Sequence, residues 1–224
     1  MRIHIKTTPS KDTIGYNHLH LLTGTIHKWF GENNFHDSAS LYSFSHLIGA
    51  IFTKEGLNFP NGASFFISLW GSEQAKLLIK GIQEDPDMFF GLKAIELVIQ
   101  ENPDLSQKTH FHLGSPVYIQ RNLESGRKKF YYFSDEESPK LLHDTLLTKM
   151  KVAGIPIDET LKIIFDQNYH RKGTKKIDYK RGNQITEIRA NWCPVIIEGK
   201  PGTKQFAWNV GIGNSTGIGF GAIK

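Results

Sequence analysis

The chain has 224 residues, of which 39% are hydrophobic and 22% charged, and carries a formal net charge of +5. That balance reads as an ordinary globular protein, long enough for one large domain or two of about 100 residues each. The one cysteine, Cys193, excludes an internal disulfide and a cysteine-based zinc centre, and no run approaches the roughly 18 apolar residues of a membrane helix.

Taken in chain order, residues 2–7 (Arg-Ile-His-Ile-Lys-Thr) alternate as a strand. They lack the apolar centre of a secretion signal, which points to the cytoplasm. From Tyr16 to Phe30, the residues Leu19, Leu22, Ile26, Trp29 and Phe30 recur at helical spacing and form one apolar stripe. Leu41 to Phe52 reads as a strand. A turn at Asn61-Gly62 precedes another strand, Ser64 to Trp70. Ser72 opens a helix with Ala75, Leu78, Ile79 and Ile82 on one face, ending near Asp85-Pro86, and residues 91–100 form a fourth long strand. The order βαββαβ is that of a ferredoxin-like unit.

The polar stretch Glu101 to Ser106 is the best linker, dividing the chain into an expected first domain over residues 1–102 and a second over residues 108–224. A strand at about 113–121, a hairpin through Ser125-Gly126, and a helix from Ser138 to about Ala153 follow. Next come strands near 160–168 and 185–198, a short helix near 203–210, and a glycine-rich loop with a closing strand to Lys224. The expected architecture is α+β.

Charge concentrates between Arg171 and Arg181, where Arg171, Lys172, Lys175, Lys176, Lys180 and Arg181 stand against Asp178 alone, interleaved with Tyr169 and Tyr179. The run is either a solvated loop or a surface that tracks phosphates. From Gly211 to Gly221 there are five glycines in eleven residues. Such a loop can approach a ligand closely and cradle phosphate on backbone N–H groups, or serve as a structural turn. A dinucleotide or Walker-type loop follows a first strand and opens a helix, whereas only three residues follow Gly221.

The form Gly-φ-Gly-x-x-x-Gly-φ-Gly-φ-Gly near the C-terminus, preceded by a short helix, resembles the signature of the CRISPR repeat-processing endoribonucleases of the RAMP superfamily. Gly15-Tyr16-Asn17-His18 with Leu22-x-Gly24-x-Ile26 resembles that family's first helix. Phe35-His36 and Leu41-Tyr42-Ser43-Phe44-Ser45 resemble its catalytic loop and second strand, and Ser115-Pro116-Val117 the start of its second domain. The resemblance implies tandem ferredoxin-like domains, the first catalytic and the second RNA-binding. It also implies metal-independent cleavage of CRISPR repeat RNA (pre-crRNA) to 2′,3′-cyclic phosphate and 5′-hydroxyl ends. The alternative it allows is a non-catalytic repeat-RNA-binding subunit of a CRISPR ribonucleoprotein.

Metal-free RNA cleavage needs a base for the 2′-hydroxyl and an acid for the departing 5′-oxygen, and histidine serves both near neutrality. Of ten histidines, His36 matches the family's loop histidine and His27 its helix position. The resemblance therefore makes them the acid–base pair. His20 lies seven residues before His27, about 20° away on the helix. No metal or cofactor is expected, since His18-x-His20 points its rings apart on a helix. Many relatives carry a lysine a few residues after the loop histidine, where this chain has Ser38, Ala39 and Ser40, so charge stabilisation would fall to Lys28, Lys54 or a basic residue of the second domain. Expected RNA contacts are Lys28, the six residues of the basic run, and Gly211, Gly213, Asn214, Ser215, Gly217 and Gly219 of the loop. His46 and the pair His110-x-His112 read as satisfied strand residues. The implied partner is repeat RNA, without a membrane; association with other CRISPR-associated proteins and homodimerisation stay open.

Overall fold

A computed structural model describes residues 1–31 and 39–224. The first half runs β1 (Arg2–Thr7), α1 (Leu19–Phe30), β2 (Tyr42–Phe44), β3 (Ile51–Phe52), β4 (Leu57–Asn58), β5 (Ser64–Leu69), α2 (Ser72–Glu84) and β6 (Ala94–Gln100). Its sheet has the order β2-β5-β1-β6, all antiparallel. With the β3–β4 hairpin set aside as an insertion, this is a βαββαβ unit with the two helices on one face. The stripe read from the sequence makes α1: Leu19, Leu22, Ile26 and Trp29 are buried against Ile3, Ile5, Phe65 and Ile67 of the sheet. Each such side chain contributes about 1.5–3 kcal/mol of transfer free energy. Gly31, at a φ of 71°, ends the helix. Gly81 lets α2 approach α1, because a Cβ there would stand 1.9 Å from the Trp29 carbonyl oxygen.

The second half runs β7 (His110–Phe111), β8 (Gln120–Asn122), β9 (Lys128–Phe130), α3 (Ser138–Val152), β10 (Lys162–Phe165), β11 (Gly173–Arg181), β12 (Gln184–Trp192), β13 (Val195–Glu198) and α4 (Pro201–Val210). A short 3₁₀ turn at Thr216–Ile218 follows. The sheet order is β10-β13-β7, and Ile223 bridges to Leu113 beyond β7. The final residues thus occupy the fourth-strand position, and the same topology is repeated. The molecule is α+β, with two ferredoxin-like units in tandem. The stretch between them is tied down by the buried Lys204, whose Nζ donates to the carbonyls of Ser106 (2.8 Å) and Lys108 (3.0 Å).

Three expectations need correction, and the basic run takes a form that its charge pattern left open. Leu41 to Phe52 is two strands, because Ser45 leaves the ladder: its Oγ accepts from the Phe66 N–H at 3.0 Å. Residues 113–121 are not one strand, since Ser115 turns the chain onto Ala222, Val117 makes only an isolated bridge to Asn191, and β8 begins at Gln120. The stretch 185–198 is two strands broken at Cys193-Pro194, and Pro194 has no N–H for a ladder. The basic run from Gly173 onward is a strand, β11, paired with β12 through all nine residues, with Arg171 and Lys172 before it. Lysines on a two-stranded ribbon cost nothing at the solvated face, so composition hid the alternation.

Candidate active site and nucleic-acid interface

The β11–β12 hairpin lies across α1 and leaves a groove between them. On the helix side stand His20, Thr23 and His27, spaced three and four residues apart and so on one face. On the hairpin side the alternation sorts the strand. Ile177 and Tyr179 turn inward with Ile188 and Ala190 of β12 and join the core of the first half. Lys176 turns outward and pairs with Glu187 at 2.7 Å. At the tip, Lys180, Arg181 and Gly182 close the groove together with Gln120 and Lys128 of the β8–β9 hairpin and Ser215 of the glycine-rich loop. The enclosed volume is about 660 Å³.

His27 is seated by the glycine-rich loop. Its Nε2 lies 3.0 Å from the Tyr42 hydroxyl and 3.3 Å from the Gly217 carbonyl, and Tyr42 donates to that carbonyl at 3.0 Å. A carbonyl only accepts, so the proton on Nε2 faces Gly217. Burial raises the Tyr42 phenol far above its ordinary range, so it stays a neutral donor. The seat is braced from beneath by Lys149 of α3. Its buried Nζ donates to Val210 O (3.0 Å), Gly211 O (3.3 Å) and Thr216 Oγ1 (2.9 Å), and burial pushes it down to about 7.

Of the expected site residues, His27, Lys180, Arg181 and Ser215 come together in this groove. His36 lies outside the described residues. Lys28 points elsewhere on α1, where its Nζ holds Asp85 Oδ2 at 2.9 Å and the Asp87 carbonyl at 2.5 Å. Lys175 and Lys176 line a separate cavity with His18 and His46. Arg171 and Lys172 precede β11 without lining the groove, and Lys172 Nζ donates to the Gln167 carbonyl at 2.7 Å.

In the loop, Gly211, Gly213, Gly217 and Gly219 are buried. A Cβ at Gly213 would stand 2.5 Å from the Tyr118 carbonyl oxygen, and one at Gly219 would stand 2.5 Å from Leu19 Cδ1. These glycines pack the loop between the two halves. Ser215 is exposed, whereas Asn214, half-buried, uses its Oδ1 to accept from the Gln120 N–H at 2.9 Å. Sequence reasoning missed Tyr42, Gln120 and Lys128 as site residues. Lys128 alone was visible in advance, through the cluster Arg127-Lys128-Lys129 in a hairpin. His46 is not a strand residue: it follows β2, with Nε2 3.1 Å from the Gly219 carbonyl.

Among the described residues no group of three or more His, Cys, Asp or Glu could hold a metal ion. No helix there is long and apolar enough to cross a membrane.

Two ferredoxin-like units closed by a glycine-rich loop define the class of protein. Solved structures share it over their whole length. A RAMP protein described as binding different RNA substrates aligns with a TM-score of 0.85 and 20% identity, covering 100% of this chain and 98% of that one. A Cas6-related protein from Pyrococcus furiosus aligns at 0.83 and 22%, covering 100% and 97%. A CRISPR associated protein Cas6 aligns at 0.80 and 19%, covering 100% and 98%. Comparison with curated protein sequences gives no match. Residues 100–224, more than half of the chain, match the model of the C-terminal part of CRISPR associated protein Cas6, and the chain belongs to that family.

Proposed function

We propose that this protein is an endoribonuclease that cleaves CRISPR repeat RNA without a metal. His27 and His36 supply the general base and acid, in either order. The observation that carries the reading is the position of His27 in a groove rimmed by Lys128, Lys180, Arg181 and Ser215. A phosphodiester in that groove meets cations and a hydroxyl donor beside an imidazole whose orientation is fixed by Tyr42 and Gly217. His36 is three residues from Ala39, a distance that the chain spans with at most about 11 Å. Ser40 in turn abuts the His27 seat, since a Cβ on Gly217 would stand 2.4 Å from its Oγ.

The base takes the proton of the 2′-hydroxyl, the 2′-oxygen attacks the adjacent phosphorus, and the acid protonates the leaving 5′-oxygen. This gives a 2′,3′-cyclic phosphate and a 5′-hydroxyl. Lys180, Arg181 and Lys128 balance charge on the phosphorane-like transition state, taking the place of the lysine that Ser38, Ala39 and Ser40 do not provide. The first half then carries the chemistry and the second half, from about residue 108, most of the RNA grip.

The test is single-turnover cleavage of end-labelled repeat RNA in EDTA. His27→Ala and His36→Ala should each lower the rate by about 10²–10⁴-fold with little change in RNA affinity. Affinity that falls in proportion to rate makes them binding residues. Intact RNA bound by the unaltered protein indicates instead a non-catalytic repeat-RNA-binding subunit.

A further inference from the structure

At the opposite end of the cleft between α1 and β11 is a second cavity of about 300 Å³, walled by the approach to α1, the loop after β2 and the hairpin. This is the lower end of the size range of small-ligand pockets. Trp192 gives it an aromatic wall, with Lys175 Nζ 5.6 Å from the indole centroid.

Two of its side chains have unused hydrogen-bonding capacity. His18 Nδ1 lies 3.0 Å from the Gly15 carbonyl, and His46 Nε2 lies 3.1 Å from the Gly219 carbonyl. A carbonyl only accepts, so these two nitrogens carry the protons, and His18 Nε2 and His46 Nδ1 carry lone pairs. Among the described residues neither lone pair has a protein donor. Burial holds both rings neutral, lowering His46 to about 4 and lowering His18 as well, and the nearby Lys175 charge adds to the effect on His46. Two neutral imidazoles with no third ligand do not make a metal site, and as acceptors they do not bind phosphate. What fits them is a planar, neutral group with hydrogen-bond donors.

We propose that this cavity is a nucleobase pocket, which takes one unstacked base of the RNA on the face of Trp192 and favours bases with an exocyclic amine through His18 and His46. An amine offers two hydrogens, one for each lone pair, while uracil offers only N3–H. Lys175 stands at the same cavity to meet a flanking phosphate, while Lys176 is held by Glu187. The proposal rests on the reading of the protein as an RNA binder and adds a site of base selection along the same helix.

Binding of dye-labelled (C)8 and (U)8 oligoribonucleotides to the full-length protein tests it, since the two differ at the amine and not in ring size. The octamer of cytidine should bind about 2–10-fold tighter. His18→Leu and His46→Leu together should abolish the difference. His46→Gln should keep it, because the amide both donates to Gly219 and offers an acceptor. Trp192→Leu should weaken both octamers by at least about 5-fold. Equal binding of the two octamers by the unaltered protein overturns the pocket. So does a cytidine preference that survives the double leucine variant, or a failure of both octamers where repeat RNA binds. In each of these outcomes the RNA reading stands; that reading fails only if repeat RNA itself does not bind.

Discussion

Single atoms decide the chemistry of the histidines. His27 and His46 both touch carbonyls of the glycine-rich loop, Gly217 and Gly219, through Nε2. Burial makes His46 a pH sensor of stability. Its folded-state value is pushed down to about 4 from 6.5 by burial. As pH falls, the unfolded chain therefore takes up this proton first. The stabilisation is complete above about pH 6.5 and is lost as pH falls from 6.5 to 4, on the order of 3 kcal/mol. Urea titrations at pH 7 and pH 4 should show a smaller loss in His46→Gln than in the unaltered protein. An identical loss would mean that His46 is protonated in the fold. At this scale the sequence was partly legible. His27 could be placed because a helix flank follows from spacing, whereas Tyr42, fifteen residues away, meets it only through the register of β2.

At the scale of elements, the amphipathic helices were legible because burial imposes their period: Leu19, Leu22, Ile26 and Trp29, or Ala75, Leu78 and Ile82, could face nothing but a sheet. Strand β11 was not, because one face is solvated and the half-buried positions, Ile177 and Tyr179, are separated by Asp178, whereas β12 falls within the strand read at 185–198. The ribbon divides the basic run into parts with different work. Lys180 and Arg181 at the tip face the groove, and Arg171 and Lys172 do not. Lys180→Ala with Arg181→Ala should therefore weaken repeat-RNA binding and reduce the slope of log affinity against log salt by about 1–2. The Arg171→Ala, Lys172→Ala pair should leave both nearly unchanged. Filter binding at four or five salt concentrations distinguishes them, and equal effects from the two pairs would contradict the division.

At the scale of the whole molecule, the two halves share their interior. Tyr118, Ile188, Ala190 and Phe220 of the second half belong to the core of the first. Arg2 lies buried between the rings of Phe66 (3.8 Å) and Trp208 (3.6 Å), with Nε on Ser68 Oγ at 2.7 Å and a terminal nitrogen on the Ile223 carbonyl at 2.5 Å. Arg2→Met keeps much of the volume but strands those acceptors, at a cost of about 2–3 kcal/mol. Unfolding should stay a single transition, because neither core is complete alone. Two separated transitions in calorimetry would show the halves to be independent. The first unit was visible in the sequence from the order of periodicities and the second through the family resemblance, but this shared interior was not, because it depends on where Gly213 and Gly219 let the last loop pass.

The central claim is that a 2′-hydroxyl is the nucleophile and His27 serves it. Mass spectrometry of the fragments from repeat RNA, cut in EDTA, reads this directly. The account predicts an upstream fragment ending in 2′,3′-cyclic phosphate and a downstream fragment beginning with 5′-hydroxyl, both absent with His27→Ala and absent when the nucleotide before the cut carries 2′-deoxyribose. A 3′-hydroxyl paired with a 5′-phosphate, or cleavage that survives the 2′-deoxy substitution, would contradict it.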